Sequence, residues 1–193
     1  MSGSVTDHLR KHFRDLGDPE TASVTFVGVE PMNVLRFGPD SVGVYHHVSL
    51  GCSRYPMAEA TATVADPVRG PRAEVVLSLR GGVATPGLAR SVAVIAATPA
   101  VEGVVLAADL LVDLSAPLWQ GAAFTAVLLG DSAIPALELD PPRDPVRFLT
   151  AIPLTPTEAA WVRLKGAGAM RAAWLDDGVD ILDPARPAAS AGL

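Results

Sequence analysis

The chain has 193 residues, 49% of them hydrophobic and 19% charged, which excludes an intrinsically disordered chain and suits one domain with a substantial core rather than two. Fifteen basic side chains stand against twenty-one acidic ones, a net charge of −6, with no basic cluster, so nucleic acid and anionic membrane surfaces are not expected partners. Cys52 is the single cysteine, which precludes an intrachain disulfide and fits a reducing, cytoplasmic setting.

The opening MSGSVTDHLRKHFRDLG has no apolar run of the signal-peptide kind. Val5, Leu9, Phe13 and Leu16 recur at helical spacing and Gly17 follows as a stop, predicting a short amphipathic helix over 5–16. His8 and His12 lie four apart on it. That spacing can hold a metal, but no Glu stands between them in the zincin pattern and no third ligand is evident, so they are read as solvated or cap-side histidines and no metal site is assigned. Residues 23–29 alternate and are β-branched, predicting a strand that Pro31 and the Asn33 region should break. A short strand over 34–37, the turn Gly38-Pro39-Asp40 and a strand over 42–50 read as a hairpin. His46 and His47 are adjacent there and must point to opposite faces, so at least one is expected to be buried and hydrogen-bonded.

Residues 51–57, Gly-Cys-Ser-Arg-Tyr-Pro-Met, form a loop that gathers a hydroxyl, a guanidinium, an aromatic and a thioether. Such a mixture suits a recognition surface, which makes Ser53, Arg54, Tyr55 and Met57 candidate partner-binding residues; the alternative is a loop whose Tyr55 and Met57 fold back on the core. Ser53 is not in a G-x-S-x-G elbow, and nothing assigns a base to Ser53 or to Cys52, so neither is taken as a nucleophile. Residues 66–71 read as a turn and 72–79 as a strand with Ala73, Val75, Leu77 and Leu79 on one face. Gly81-Gly82 lacks the spacing of a phosphate-binding fingerprint, so a nucleotide loop is rejected there.

Thr85-Pro86 reads as a helix start, and Leu88, Val92 and Ile95 as the apolar face of a helix expected to end before Pro99. The longest apolar zone, 91–112, is interrupted by Pro99, Glu102, Gly103 and Asp109 and cannot span a bilayer. Asp109 and Asp113 are read as edge or turn residues rather than a general acid/base pair. Trp119, in the loop 116–121, is either core-covering or an interface anchor, and joins the candidate partner-binding residues. Residues 124–129 form a buried strand and 140–145 a proline-rich turn.

Phe148 to Leu154 is an apolar run suited to a strand buried on both faces. Thr155, Pro156 and Glu158 then spell a capping box with proline at the first helical position. The helix is expected to run to about Asp176, with Trp161, Leu164, Gly168 and Leu175 facing inward and Gly168 closely approached by the sheet, so that Gly168→Leu would clash. Gly178 is a stop, and residues 188–193 are expected to be a flexible tail after one domain over 1–187. Strands clustered early and helices later predict an α+β or mixed α/β single domain, a mixed sheet with helices packed against it. No catalytic constellation, metal site or cofactor site is identified.

In order along the chain, VEPMNVLRFG, VSLGCSRYPM, RAEVVLSLR, FTAVLLG, FLTAIPLTPTEAAWVRLKGAGAM and ILDPARP resemble the suppressor-of-fused family in its single-domain bacterial form, over about residues 30–187. PLTPTE and the LDP-R end are the most distinctive stretches, and the SRYPM loop is the best match to a shared feature. The resemblance implies a single α/β domain without known enzymatic activity. In animals, members look like binders that sequester a transcription factor in Hedgehog signalling; this chain lacks the length of their second half, so that partner does not carry over. Bacterial members have been proposed as immunity proteins that neutralise toxins, and the expected partner is accordingly an unidentified protein, such as a toxin. The second reading is a small-ligand-binding protein or an enzyme with an unrecognised pocket, and the third a subunit stabilised by self-association.

Overall fold

The computed structural model describes residues 2–26, 28–62, 64 and 66–190. Among them the chain forms α1 (Ser2–His12), β1 (Glu20–Phe26), β2 (Val29–Phe37), β3 (Val44–Leu50), β4 (Arg72–Arg80), α2 (Leu88–Glu102), β5 (Leu111–Asp113), β6 (Ala126–Asp131), β7 (Val146–Leu154), α3 (Pro156–Lys165) and α4 (Ala167–Asp176). The strands make one seven-stranded open sheet in the order β1-β2-β3-β4-β7-β6-β5. Two antiparallel blocks, β1–β4 and β5–β7, meet at a parallel seam between β4 and β7. A parallel pair needs a crossover, and α2 lies within it. The fold is α+β with a mixed sheet, as the order of elements predicts.

Strand alternation sends side chains to two faces. Val34, Val75, Leu77, Leu129 and Leu149 meet Val92 and Ile95 of α2 on one. On the other, Leu35, Phe37, Val48, Val76 and Phe148 meet Val5 and Leu9 of α1 and Phe13 just after it. Further along that second face, Ala126, Leu128 and Leu154 meet Val162, Met170 and Trp174 of α3 and α4. Among the described residues no helix is long and apolar enough to cross a membrane.

Several sequence expectations need correction. Strand β2 runs through Pro31 instead of breaking there. Pro31 sits where the β1 register shifts, between the Val24↔Met32 and Phe26↔Val29 pairs, and pairing to β3 begins only at Asn33, so the ladder needs no N–H from it. Helix α2 likewise passes through Pro99 to Glu102. The Ile95 carbonyl that Pro99 cannot serve accepts from the Thr98 hydroxyl at 2.8 Å. At its start, Thr85-Pro86 does not cap; α2 begins after Gly87, at φ +92°, and no side chain caps it.

The predicted helix over 155–176 is two helices, broken at Gly166 (φ +88°, ψ 166°), a conformation that favours glycine. The break resets the helical phase. Leu164 and Leu175 are therefore 74% and 83% exposed, and Glu158, Ala159, Val162, Ala167, Met170 and Trp174 face inward. Gly168 is exposed, with nothing within 4 Å of a Cβ built on it, so the expected clash of Gly168→Leu is overturned. Past Gly178 the chain stays packed to Ala189, which is buried and donates its N–H to Glu158; residues 191–193 of the predicted tail lie outside the described residues.

Candidate partner-binding surface

The loop after β3 is held from below by two charged side chains of β4. Glu74 is fully buried, yet its carboxylate accepts from the Ser49 hydroxyl (2.5 Å), the Gly51 N–H (2.9 Å), and the N–H and hydroxyl of Ser53 (3.0 and 2.6 Å). Burial pushes the Glu74 carboxyl up, and these four donors work against that rise. Arg72 donates to the carbonyls of Ser53 (3.0 Å), Arg54 (2.9 Å) and Val68 (2.9 Å). The Met57 N–H reaches the Pro71 carbonyl at 2.7 Å. Both polar ends of the short 3-10 turn Cys52–Arg54 are thus fixed to a buried strand, and the loop has little freedom left to lose on binding.

The candidate residues divide on this frame. Ser53 is buried as a Glu74 donor, and Met57 is buried with its sulfur accepting from the Leu106 N–H at 3.4 Å. Trp119 is 3% exposed and packs on Phe124 at 5.5 Å between ring centroids, so it covers the core. Arg54 and Tyr55 remain at the surface. Tyr55 is 63% exposed, and its hydroxyl donates to Glu30 at 3.3 Å; Arg54 donates to the Glu30 carboxylate and the Pro31 carbonyl, each at 2.9 Å. Beside them opens a hollow of about 300 Å³ with Met32, Met57, Ala96 and Pro99 in its wall and Glu30, Arg54 and Tyr55 at its polar side. An aromatic rim over an apolar hollow has the composition of an interface anchor site. Sequence reasoning found the loop but missed Glu30, Arg72 and Glu74. The available signal was two charges, Arg72 and Glu74, at the start of a strand whose middle, Val75 to Leu77, is apolar.

The chemistry-bearing residues are otherwise tied up. The Ser53 hydroxyl faces a carboxylate that accepts from it, and burial, then the neighbouring Glu74, pushes the Cys52 thiol well up. Asp109 pairs with Arg171 and Asp113 with Arg163, so the two acids do not share a site. His8 sits at 2.8 Å from the Pro135 carbonyl. His46 Nδ1 is 2.8 Å from the Ser78 hydroxyl and its Nε2 is 3.6 Å from Asp40, but Asp40 also caps the N–H groups of Val42 and Val44, and Phe13 stacks on the imidazole. His47, on the opposite face, is buried.

One further cluster was invisible in the sequence. Glu158 accepts from Arg186 (2.7 and 3.1 Å), the Thr155 N–H (2.9 Å), the Trp174 indole (2.9 Å) and the Ala189 N–H (3.1 Å). Arg186 also donates to the Pro153 carbonyl at 2.7 Å and lies over the rings of Phe124 and Trp174. PLTPTE and LDP-R, the two most distinctive stretches of the chain, are the halves of one buried ion pair.

Comparison with known proteins bears on the same residues. A family described as Suppressor of fused protein (SUFU) matches residues 28–187. A suppressor-of-fused homologue from Neisseria gonorrhoeae has a similar structure, with a TM-score of 0.72 at 18% identity over 97% of this chain and 96% of that one. A chain of a Sufu–Fu complex gives 0.67 at 13% identity, over 97% and 91%. Drosophila Suppressor of Fused gives 0.64 at 14% identity, over 96% of this chain and 50% of that one, so the chain spans about half of the Drosophila protein. No curated protein matches significantly. At these identities the structural likeness carries the fold.

Proposed function

The chain belongs to the suppressor-of-fused family, and on that premise we propose that it is a non-catalytic protein-binding domain whose contact surface is the Arg54–Tyr55 turn and the hollow beside it. The observation that carries this reading is the exposed Tyr55 on a turn that Glu74 and Arg72 hold rigid from beneath. A binding surface fixed before contact loses little entropy on association. A relative of the same fold was solved as a Sufu–Fu complex, which supports protein binding as the mode of action. The partner class we propose is a toxin neutralised in the cytoplasm, the role that has been suggested for bacterial members of the family; a net charge of −6 suits a cationic protein.

The test is a pull-down from native lysate with the wild-type protein and Tyr55→Ala as parallel baits, both checked for native thermal unfolding. One stoichiometric partner captured by the wild type and lost from Tyr55→Ala supports the reading. Equal capture by both moves the surface elsewhere. Capture of nothing at micromolar bait favours a small ligand, for which the 300 Å³ hollow is the first place to look.

A further inference from the structure

The two edges of the sheet are not alike. β5 closes one side with only three residues, and its Asp113 is tied to Arg163 of α3. β1 closes the other with seven, Glu20–Phe26, and among the described residues no backbone group pairs with its outer side. Unpaired N–H and C=O groups are a template for another strand, and natural sheets blunt such an edge with proline, lysine, an inward-pointing charge or a bulge in the edge strand. β1, reading ETASVTF, has no proline, no lysine and no charge after its first residue. That one charge, Glu20, is ion-paired with Arg36 of β2 at 3.1 Å. The irregularity in the β1–β2 ladder puts its extra residue in β2, since Val24↔Met32 is followed by Phe26↔Val29, so β1 itself runs on without a bulge.

The strand also has two distinct faces. Val24 and Phe26 are half-buried against the core beneath α2, and Ala22, paired with Val34, shares that face. Thr21, Ser23 and Thr25 take the other face and are exposed. Both sets are matched about Ser23. An antiparallel copy centred there would set Thr21 against Thr25 and Ser23 against itself, hydroxyl against hydroxyl, and Ala22 against Val24, apolar against apolar. Glu20 would meet Phe26, so no like charges stand opposite each other. A slip of one residue would set the apolar face of one copy beside the hydroxyl face of the other. Centring on Ser23 is the register that pairs all seven residues.

We propose that β1 is a self-association strand. Two copies of the chain pair it antiparallel about a two-fold axis at Ser23, and their sheets join into one continuous sheet. The occupant of the edge is a second copy because the strand complements itself in hydroxyls, in apolar side chains and in charge. One short edge buries little surface, so the dimer should dissociate in the range of about 10–100 μM. The pairing leaves the Tyr55 surface free. Arg54 and Tyr55 both bond Glu30, just past the β1–β2 turn at the Phe26 end of the strand. Antiparallel pairing sends the two Phe26 ends apart, so the dimer presents a Tyr55 turn at each end of the joint. Self-association is thus independent of what the Tyr55 surface binds.

The test is sedimentation equilibrium of the purified chain from about 5 to about 500 μM, a range that brackets that affinity. The expected result is a mass that rises from 20.0 kDa towards twice that value. Ser23→Lys and Ser23→Asp each place like charges at the axis, and since Ser23 is exposed each should stay folded and monomeric on its own. Mixed in equal amounts, the two variants should restore the doubled mass. Amide exchange at residues 20–26 should slow with concentration in the wild type, a readout that needs no variant. A wild type that stays at 20.0 kDa throughout overturns the proposal and leaves the edge to a strand of another protein. A dimer that persists in both variants, or that gains no protection at 20–26, puts the contact elsewhere and overturns it as well. Monomeric variants whose mixture stays monomeric overturn the register about Ser23.

Discussion

Glu158 and Arg186 stand 28 residues apart, and neither carries in its local pattern any sign of the other. The capping box at Thr155 is legible because its partners lie within one helical turn, and both of its hydrogen bonds form as read. What was not legible is that the same carboxylate also holds the segment after α4. Both members of the ion pair are buried, so removing one leaves an uncompensated charge. Arg186→Met is expected to cost about 3–5 kcal/mol in urea unfolding. The pair also gives a pH signature. Burial pushes Glu158 up, but Arg186, the Thr155 N–H, the Trp174 indole and the Ala189 N–H outweigh it and hold the carboxyl below its ordinary 4.5. A carboxyl lower in the folded than in the unfolded chain adds stability above 4.5 and forfeits it as the pH falls through the folded value. Glu74 has the opposite sign: burial holds it above 4.5, so its contribution is greatest in acid and shrinks as the pH rises through its folded value. Urea midpoints measured from about pH 6 down to about pH 3 should therefore fall less steeply for Glu158→Gln than for the wild type. Parallel curves would assign the acid limb to other groups.

At the scale of the element, the pattern of apolar residues locates helices and strands well and fails at their interruptions. A period of 3.6 was carried across Gly166 and so placed Leu164, Gly168 and Leu175 on the wrong side. Nothing in the pattern marks Gly166 rather than Gly168 as the break. Only the positive φ at Gly166 distinguishes them, and the packing of α3 and α4 on β6 and β7 imposes it. The two glycines should therefore respond oppositely to the same change. Gly166→Ala must strain the backbone and is expected to cost about 1–3 kcal/mol. Gly168→Ala, in open space within a helix, should gain about 0.4–1 kcal/mol. Thermal melts of the two variants decide the point, and shifts of the same sign would refute the phase reset. Pro31 and Pro99 teach the complementary lesson. Proline breaks an element only if its missing N–H and the orphaned carbonyl are left without remedy, and here a register shift and the Thr98 hydroxyl supply one.

At the scale of the whole molecule, the seam between β4 and β7 decides how the chain's two halves combine. Because both strands are buried on each face, Arg72 and Glu74 are drawn inside, where they turn from ordinary strand charges into clamps on the loop 51–57. Trp119 and Tyr55 separate on the same ground. Trp119→Ala empties a core position and is expected to cost about 3–5 kcal/mol in chemical unfolding. Tyr55→Ala should stay within about 0.5 kcal/mol of the wild type while removing the proposed anchor. A Trp119→Ala protein of wild-type stability would mean that this side chain is free for a partner. The sequence by itself determined the class of fold, the hairpin of β2 and β3, the amphipathic α1 and the capped start of α3, because each is set by contacts within a few residues. It also determined the family, through short stretches kept in order. Only the tertiary structure decided which residues of the candidate loop face outward, that the two most distinctive stretches close on one ion pair, and that Arg36 and His47 line one hollow with Gly87 and Leu88. Each of those depends on residues far apart in the chain, brought together by a register and a crossover that local periodicity does not encode.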